Sequence, residues 1–298
     1  MIVLRQDPLT EEWVSLNADR QERPLTAGRL MGCPFCPGEG TEVGTVPFDV
    51  AVFENKFPAF HAPGASEVVV YSPHHHDDLA YVSVEHGTLI WHVWMDRTKA
   101  LMQDASIQAI VVFENRGSKV GASIAHPHGQ IYAYPYIPPR LQRERQQFLS
   151  TCPLCHFHEP HGPYIMANDL WRIEVPYAPR MPYQLWLVPQ RHVAHLAELT
   201  EEEVGEGVRL MQHIVRTYDT YFGLRTALVM ALYQEVQKSS AYHLRWDFLP
   251  IDRGQGKIKY LAGSELAMDA FVVDMTPEFV QSTLEPIFQR IHQEKRMN

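Results

Sequence analysis

Two imidazoles and an amide recur at every second position in Gly121-Ala-Ser-Ile-Ala-His126-Pro-His128-Gly-Gln130. Side chains two apart on an extended strand face the same way, so His126, His128 and Gln130 should project side by side. Pro127 fixes its own φ and holds His126 extended. An imidazole displayed like this can attack a carbonyl or phosphoryl centre and later depart as a leaving group. The competing reading is an ordinary edge strand with solvent-facing histidines. The preceding apolar run, Ile107-Gln-Ala-Ile-Val-Val-Phe113, has the composition of a buried strand and is expected to end at the turn-prone Glu114-Asn115-Arg116-Gly117.

All four cysteines fall in two Cys-Pro-x-Cys units, Cys33 with Cys36 and Cys152 with Cys155. In a reducing compartment such pairs are metal half-sites or redox dithiols rather than structural disulfides. Counting from them exposes a duplication. His75 lies 39 residues after Cys36, and His192 lies 37 after Cys155. Each is followed 51 residues later by another histidine, His126 and His243. This register selects His75 from its neighbours His74 and His76. Each half then offers a tetrahedral zinc set: Cys33, Cys36, His75 and His126, then Cys152, Cys155, His192 and His243. Free thiols are the alternative, and His156 and His158 are rival ligands at the second site.

In the second half, the strand matching His126-x-His128-x-Gln130 reads His243-Leu-Arg245-Trp-Asp247. The metal histidine is kept while arginine takes the nucleophile position. The duplication therefore predicts two similar metal sites but one reactive histidine, His128. Fully ligated metals do not resemble the open sites that activate water, so a covalent group transfer is favoured over metal-assisted hydrolysis. The Gln130 amide, Ser123 and the Gly121 backbone could donate to a phosphoryl oxygen as charge builds there. Arg20 and Arg23 occupy a loop, and arginine suits bidentate phosphate contacts.

The elements that must position these groups can be read as well. Ser83 lies 8 residues after His75 and Thr200 lies 8 after the equivalent His192, and both are expected to open helices. Thr200-Glu-Glu-Glu203 is a capping box, with Leu199 and Val204 as a hydrophobic staple. Val208, Met211, Val215, Tyr218 and Phe222 form a buried stripe, and Gly223 stops the helix. The first helix runs from Ser83 to about Ala105. Val52 to Phe57 and Glu67 to Tyr71 are strand-like. Each half is thus strand, strand, helix, strand, strand around its metal. Ile137 to Ser150 predicts a polar linking helix, and Thr276-Pro277-Glu278 opens a final one. The expected division is a first repeat at 1–136 carrying the nucleophile, and a second, degenerate repeat at 137–298 with a C-terminal segment.

With 298 residues, 45% apolar and 20% charged, the chain has material for one large or two ordinary globular domains. A net charge of −9 argues against nucleic acid, whose phosphates need a basic surface. The start lacks the pattern of a signal peptide, and no apolar run approaches the roughly 20 residues that span a bilayer. The expectation is a cytoplasmic protein without a membrane or nucleic-acid partner.

Val112-Phe-Glu-Asn115-Arg-Gly-Ser-Lys-Val-Gly121-Ala-Ser123-Ile-Ala-His126-Pro-His128-Gly-Gln130 resembles the active-site signature of galactose-1-phosphate uridylyltransferases, a branch of the histidine-triad superfamily. The resemblance extends to Asp7-Pro-Leu-Thr through Arg23-Pro24, Phe53-x-Asn55, Ser72-Pro-x-His75 and Lys259-Tyr-Leu-Ala-Gly-Ser-Glu265. It implies an α+β fold in which two tandem histidine-triad-like repeats form an antiparallel half-barrel sheet with flanking helices. It also implies a ping-pong reaction: His128 takes UMP from UDP-glucose, and galactose-1-phosphate then carries it away. By the same resemblance Phe53 and Asn55 would bind the nucleoside, and Asn115, Ser123 and Gln130 the phosphates. Arg20, Arg23, Lys259 and Glu265 would reach phosphate and sugar from the partner subunit of a homodimer. The family's iron-type histidine cluster is replaced by Ala231-Leu-Tyr233-Gln-Glu and Arg245-Trp-Asp247, so zinc is expected and iron is not. Lys56 stands where an acidic residue often meets the ribose, and Ser264 where some members carry a tyrosine. The neighbouring alternatives are a nucleotide-sugar phosphorylase or nucleotidyltransferase acting on ADP-glucose, and a zinc-stabilised nucleotide-sugar binding protein without catalysis.

Overall fold

A computed structural model describes residues 2–22, 32–149, 151–155, 161–236, 241–254 and 256–294. A hairpin of β1 (Ile2–Gln6) and β2 (Trp13–Asn17) leads in, followed by β3 (Ala51–Glu54), β4 (Ala65–Val70) and helix α1 (Val84–Leu101). Then come β5 (Ala109–Arg116), β6 (His128–Tyr134) and α2 (Pro139–Phe148). The second half has β7 (Tyr164–Ala167), β8 (Trp171–Glu174), β9 (Leu185–Pro189), α3 (Glu201–Phe222), β10 (Leu228–Tyr233) and β11 (Arg245–Pro250). The chain closes with β12 (Asp252–Gly254), β13 (Lys257–Ile258), α4 (Gly263–Met268) and α5 (Pro277–Glu294).

Nine of these strands make one antiparallel sheet in the order β3-β4-β6-β5-β10-β11-β9-β8-β7. The order reads the same from β5–β10 outward in either direction: β6 matches β11, β4 matches β9, and β3 matches β8. That is the α+β architecture of two tandem repeats sharing an open, unclosed sheet. The seam is the β5–β10 pair, where Arg116 lies opposite Leu228 and Phe113 opposite Ala231. β6 pairs with β4 on one side and β5 on the other, so it is not an edge strand.

Alternation along each strand gives the sheet two different faces. Val69, Val112, Ile131, Leu187, Met230 and Trp246 point to one face and join a single apolar cluster with α1, α3 and α5. Trp246 lies 5.7 Å from Trp91 and 5.2 Å from Trp94 between ring centroids, and Trp171 lies 6.0 Å from Trp91. Each buried aromatic of this size contributes roughly 1.5–3 kcal/mol relative to exposure, so the indole cluster binds the repeats into one core. The opposite face carries His128, Gln130 and Tyr132; α2 packs on another part of it, against Val188 and Tyr242.

Helix ends follow local chemistry. The Ser83 side chain accepts from the His86 amide, 3.1 Å away. At α3 the Glu203 amide donates to Thr200 Oγ1 (3.3 Å), while the Thr200 amide donates to the Glu203 carboxylate (2.8 Å). Gly223 ends that helix in the left-handed conformation. No helix among the described residues is long and apolar enough to cross a membrane.

Two local expectations need correction. β5 continues through Glu114, Asn115 and Arg116 rather than turning there, because Arg116 is held in place by Asp78, Asp219 and the Thr226 carbonyl. The turn comes at Gly117, where φ is +95° and only glycine is unstrained. β6, for its part, begins at His128, so His126 sits in the bend before the strand rather than on it.

Gly129 faces the core side of β6, where an added Cβ would lie 2.1 Å from the Tyr71 hydroxyl. Gly129→Ala should therefore cost about 1–3 kcal/mol by overpacking. Thermal or denaturant unfolding should show this loss, and adding Tyr71→Phe should recover part of it; a neutral Gly129→Ala would contradict the packing described.

Candidate active site

Each cysteine–histidine set converges. The donor atoms of Cys33, Cys36, His75 and His126 all lie within 4.8 Å of one another, as do those of Cys152, Cys155, His192 and His243. In the first set Cys36 Sγ is 3.4 Å from His75 Nδ1 and 3.5 Å from His126 Nδ1. In the second, Cys155 Sγ is 3.1 Å from His192 Nδ1 and 3.3 Å from His243 Nδ1. Ligand–ligand edges of about 3.6 Å follow from zinc tetrahedra with sulfur near 2.3 Å and nitrogen near 2.1 Å, so the donor sets fit. The far nitrogens are aligned too. His126 Nε2 donates to the Ser72 carbonyl at 2.7 Å, and His243 Nε2 donates to the Pro189 carbonyl at 3.0 Å. Both carbonyls lie three residues before the other ligand histidine, and both bonds turn Nδ1 with its lone pair toward the sulfurs.

Burial pushes the thiols up, Cys36 to about 11 with Cys33 adding to the effect, and Cys155 to about 12 with Cys152 adding. Burial also drives His243 down to about 3, so that ring is neutral, as a metal ligand must be. His156 and His158, the rival ligands, lie outside the described residues.

His126 in turn orients His128. The Nδ1–H of His128 donates to the His126 carbonyl at 2.7 Å. With the proton held on Nδ1, the lone pair is carried by Nε2. His128 is 8% exposed and shares the wall of a cavity of about 340 Å³ with Asn115, Gly117, Ser118, Ala122 and Arg225. Gln130 is 6% exposed; its carbonyl end accepts from Asn55 Nδ2 and from the Tyr132 hydroxyl, each at 3.3 Å. That leaves the amide N–H groups as the end suited to a phosphoryl oxygen.

The remaining sequence candidates separate into groups. Phe53 on β3 packs edge-on against Phe35 (5.6 Å), which packs against the His128 ring (5.0 Å). Asn55 meets Gln130 as described. Arg20 donates to the Phe57 carbonyl at 3.2 Å and so borders the Asn55–Phe57 segment. Arg23 lies outside the described residues. Gly121, at φ +83°, and the buried Ser123 flank Ala122 but do not themselves line the cavity. Lys259 and Glu265 are ion-paired with each other at 2.5 Å and also lie outside that cavity's wall.

Sequence reasoning missed four residues here. Phe35 sits between two ligand cysteines, a position that could have flagged it as a neighbour of the metal strand. Tyr132 continues the His128–Gln130 alternation by one more step. Glu114 and Arg225 gave no local signal. Glu114 lines the cavity, and burial together with nearby Asp78 pushes its carboxyl up to about 8 against the pull of Arg116.

The family described as galactose-1-phosphate uridyl transferase, N-terminal domain, matches residues 50–138. A galactose-1-phosphate uridylyltransferase from Thermotoga maritima is 32% identical, with 93% of this chain and 96% of that protein aligned. The chain belongs to the galactose-1-phosphate uridylyltransferase family. A solved structure titled as a uridylyltransferase superposes with a TM-score of 0.88 over 98% of this chain and 99% of that one, at 26% identity. An ADP-glucose phosphorylase from Arabidopsis thaliana is 28% identical over 66% of this chain and 68% of its own length. Membership places the two Cys-Cys-His-His sets and the His128 strand in an enzyme family rather than in a passive binder.

Elemental analysis should find close to two metal ions per chain. Cys36→Ser and Cys155→Ser should each remove one of them. A Cys155→Ser protein that keeps its full metal content would remove the second site from this description.

Proposed function

We propose that this protein is a hexose-1-phosphate uridylyltransferase that moves UMP from UDP-glucose to galactose-1-phosphate through a covalent bond to His128. One observation carries the mechanism: the Nδ1–H of His128 is tied to the His126 carbonyl, 2.7 Å away, and Nε2 is therefore the nucleophile. His128 Nε2 attacks the α-phosphorus of UDP-glucose. The N–P bond forms as the P–O bond to the β-phosphoryl group breaks, and glucose-1-phosphate departs with the electron pair. A phosphate oxygen of galactose-1-phosphate then attacks phosphorus, the N–P bond breaks, and its pair returns to Nε2. The proton stays on Nδ1 throughout, hydrogen-bonded to the His126 carbonyl, which stabilises the cationic imidazole of the intermediate.

On this reading Gln130, Asn115, Ser123 and the Gly121 backbone meet the phosphoryl oxygens, while Phe53 and Asn55 hold the nucleoside. Zinc is the metal that two thiolates and two imidazoles suit best, and with four protein donors its part is to hold the strand that presents His128. Residues 1–136 act as the nucleophile-bearing repeat, and 137–298 supply the supporting one. Lys259 and Glu265, with Arg20 and Arg23, serve the sugar phosphate. The exposure of Tyr260, Leu261, Leu266 and Met268 supports a homodimer in which they do so across the interface. A cytoplasmic location suits the four free cysteines.

Protein mixed with UDP-glucose labelled at the α-phosphorus should acquire acid-labile, alkali-stable label, which galactose-1-phosphate discharges as UDP-galactose. His128→Asn should acquire none. Label from ADP-glucose but not from UDP-glucose would replace the nucleotide in this proposal, and label from neither would end it.

A further inference from the structure

The cavity beside His128 ends on a residue that the proposed mechanism leaves unused. Arg225 lies in the connection between α3 and β10, and so comes from the second repeat. It lines the 340 Å³ cavity with His128 and Asn115, and also a neighbouring cavity of about 490 Å³ with His76, Asp78, Tyr81 and Asp219. Its side chain is 53% exposed. One terminal nitrogen is 2.5 Å from Asp78 Oδ2 and donates to the Asp77 carbonyl at 3.3 Å. A guanidinium has five N–H donors in a fixed fork, so most of this one's capacity is directed elsewhere.

Arg225 is not the sole partner of Asp78. Arg116, which is buried, lies 2.9 Å from Asp78 and 2.7 Å from Asp219. Arg225 can therefore turn one edge to an incoming anion while Asp78 keeps its contact with Arg116, which it shares with Asp219. The sheet order says which part of a substrate would arrive there. Phe53 and Asn55 belong to β3 and its end, two strands from β6 on one side, and Arg225 precedes β10, two strands from β6 on the other. Neighbouring strands are about 4.8 Å apart, so Arg225 stands roughly 10 Å from the His128 strand, opposite to the nucleoside side. A phosphorylated hexose leaving the α-phosphorus would extend in that direction.

We propose that Arg225 binds the phosphate of the hexose-1-phosphate, both as it leaves the nucleotide sugar and as it returns as acceptor. The second repeat would then contribute to the first repeat's reaction through a charge at the leaving-group end of the cavity. This assignment rests on the uridylyl-transfer reading of the same site, and the two can fail separately.

The experiment compares wild type, Arg225→Gln and Arg225→Lys by calorimetric titration with galactose-1-phosphate and with UMP. Charge-assisted contacts to phosphate are the strong ones, so Arg225→Gln should weaken galactose-1-phosphate tenfold or more and leave UMP within about twofold. Arg225→Lys should recover part of the loss. The KM for galactose-1-phosphate should rise in parallel, while loading of His128 from a uridylyl imidazolide, whose leaving group carries no phosphate, should be unchanged. Equal galactose-1-phosphate affinity in wild type and Arg225→Gln would overturn the assignment, as would equal weakening of both ligands. Failure of the imidazolide to load wild-type protein would count against the histidine intermediate, whereas the titrations judge Arg225 by itself.

Discussion

One hydrogen bond organises the site: the proton on Nδ1 of His128 shared with the backbone carbonyl of His126. It is short, buried and set by the chain two residues away, so it holds both the tautomer and the direction of the ring. The carbonyl is itself fixed because the His126 ring spans the Ser72 carbonyl and the cysteine pair. A metal between Cys33, Cys36, His75 and His126 would thus act on the nucleophile through backbone geometry, without touching it. Second partners that orient a reactive imidazole are a recurrent device, and here a peptide group fills that part.

The second repeat shows the same arrangement with the histidine replaced. Arg245 occupies the place of His128 and is 3% exposed. It pairs with Glu144 of α2 at 2.7 Å, contacts the Tyr242 hydroxyl at 3.1 Å, and lies over the rings of Trp186 and Tyr233. Burial alone would raise the Glu144 carboxyl, yet Arg245 and Arg140 hold it below its ordinary value. A buried, ion-paired arginine suits structure rather than turnover. The cysteine–histidine set is kept in both halves, while only the first carries an imidazole where the second carries Arg245.

Much of this was legible in the sequence because it depends on counting. Equal 51-residue intervals from His75 and His192 mark positions whose donor atoms converge in space, and the Thr200 capping box and Gly223 stop bound α3 as local rules require. The rest was not legible, for physical reasons. Glu114-Asn115-Arg116 has turn-like composition, yet it extends β5 because Arg116 finds Asp78 and Asp219 far along the chain. Strand alternation did not foresee that His126 belongs to a bend. Arg225 reaches the site only through tertiary placement, and nothing in its neighbours' identities announces it.

The most direct test reads the proton on His128. Two-bond ¹⁵N–¹H correlation spectra of histidine-labelled protein, with His128 assigned by its loss in His128→Asn, distinguish the two tautomers. The expected result is a protonated Nδ1 and an unprotonated, pyridine-like Nε2 at neutral pH. A proton on Nε2, or a ring averaging between both forms, would contradict the account, since Nε2 would then lack a fixed lone pair for phosphorus.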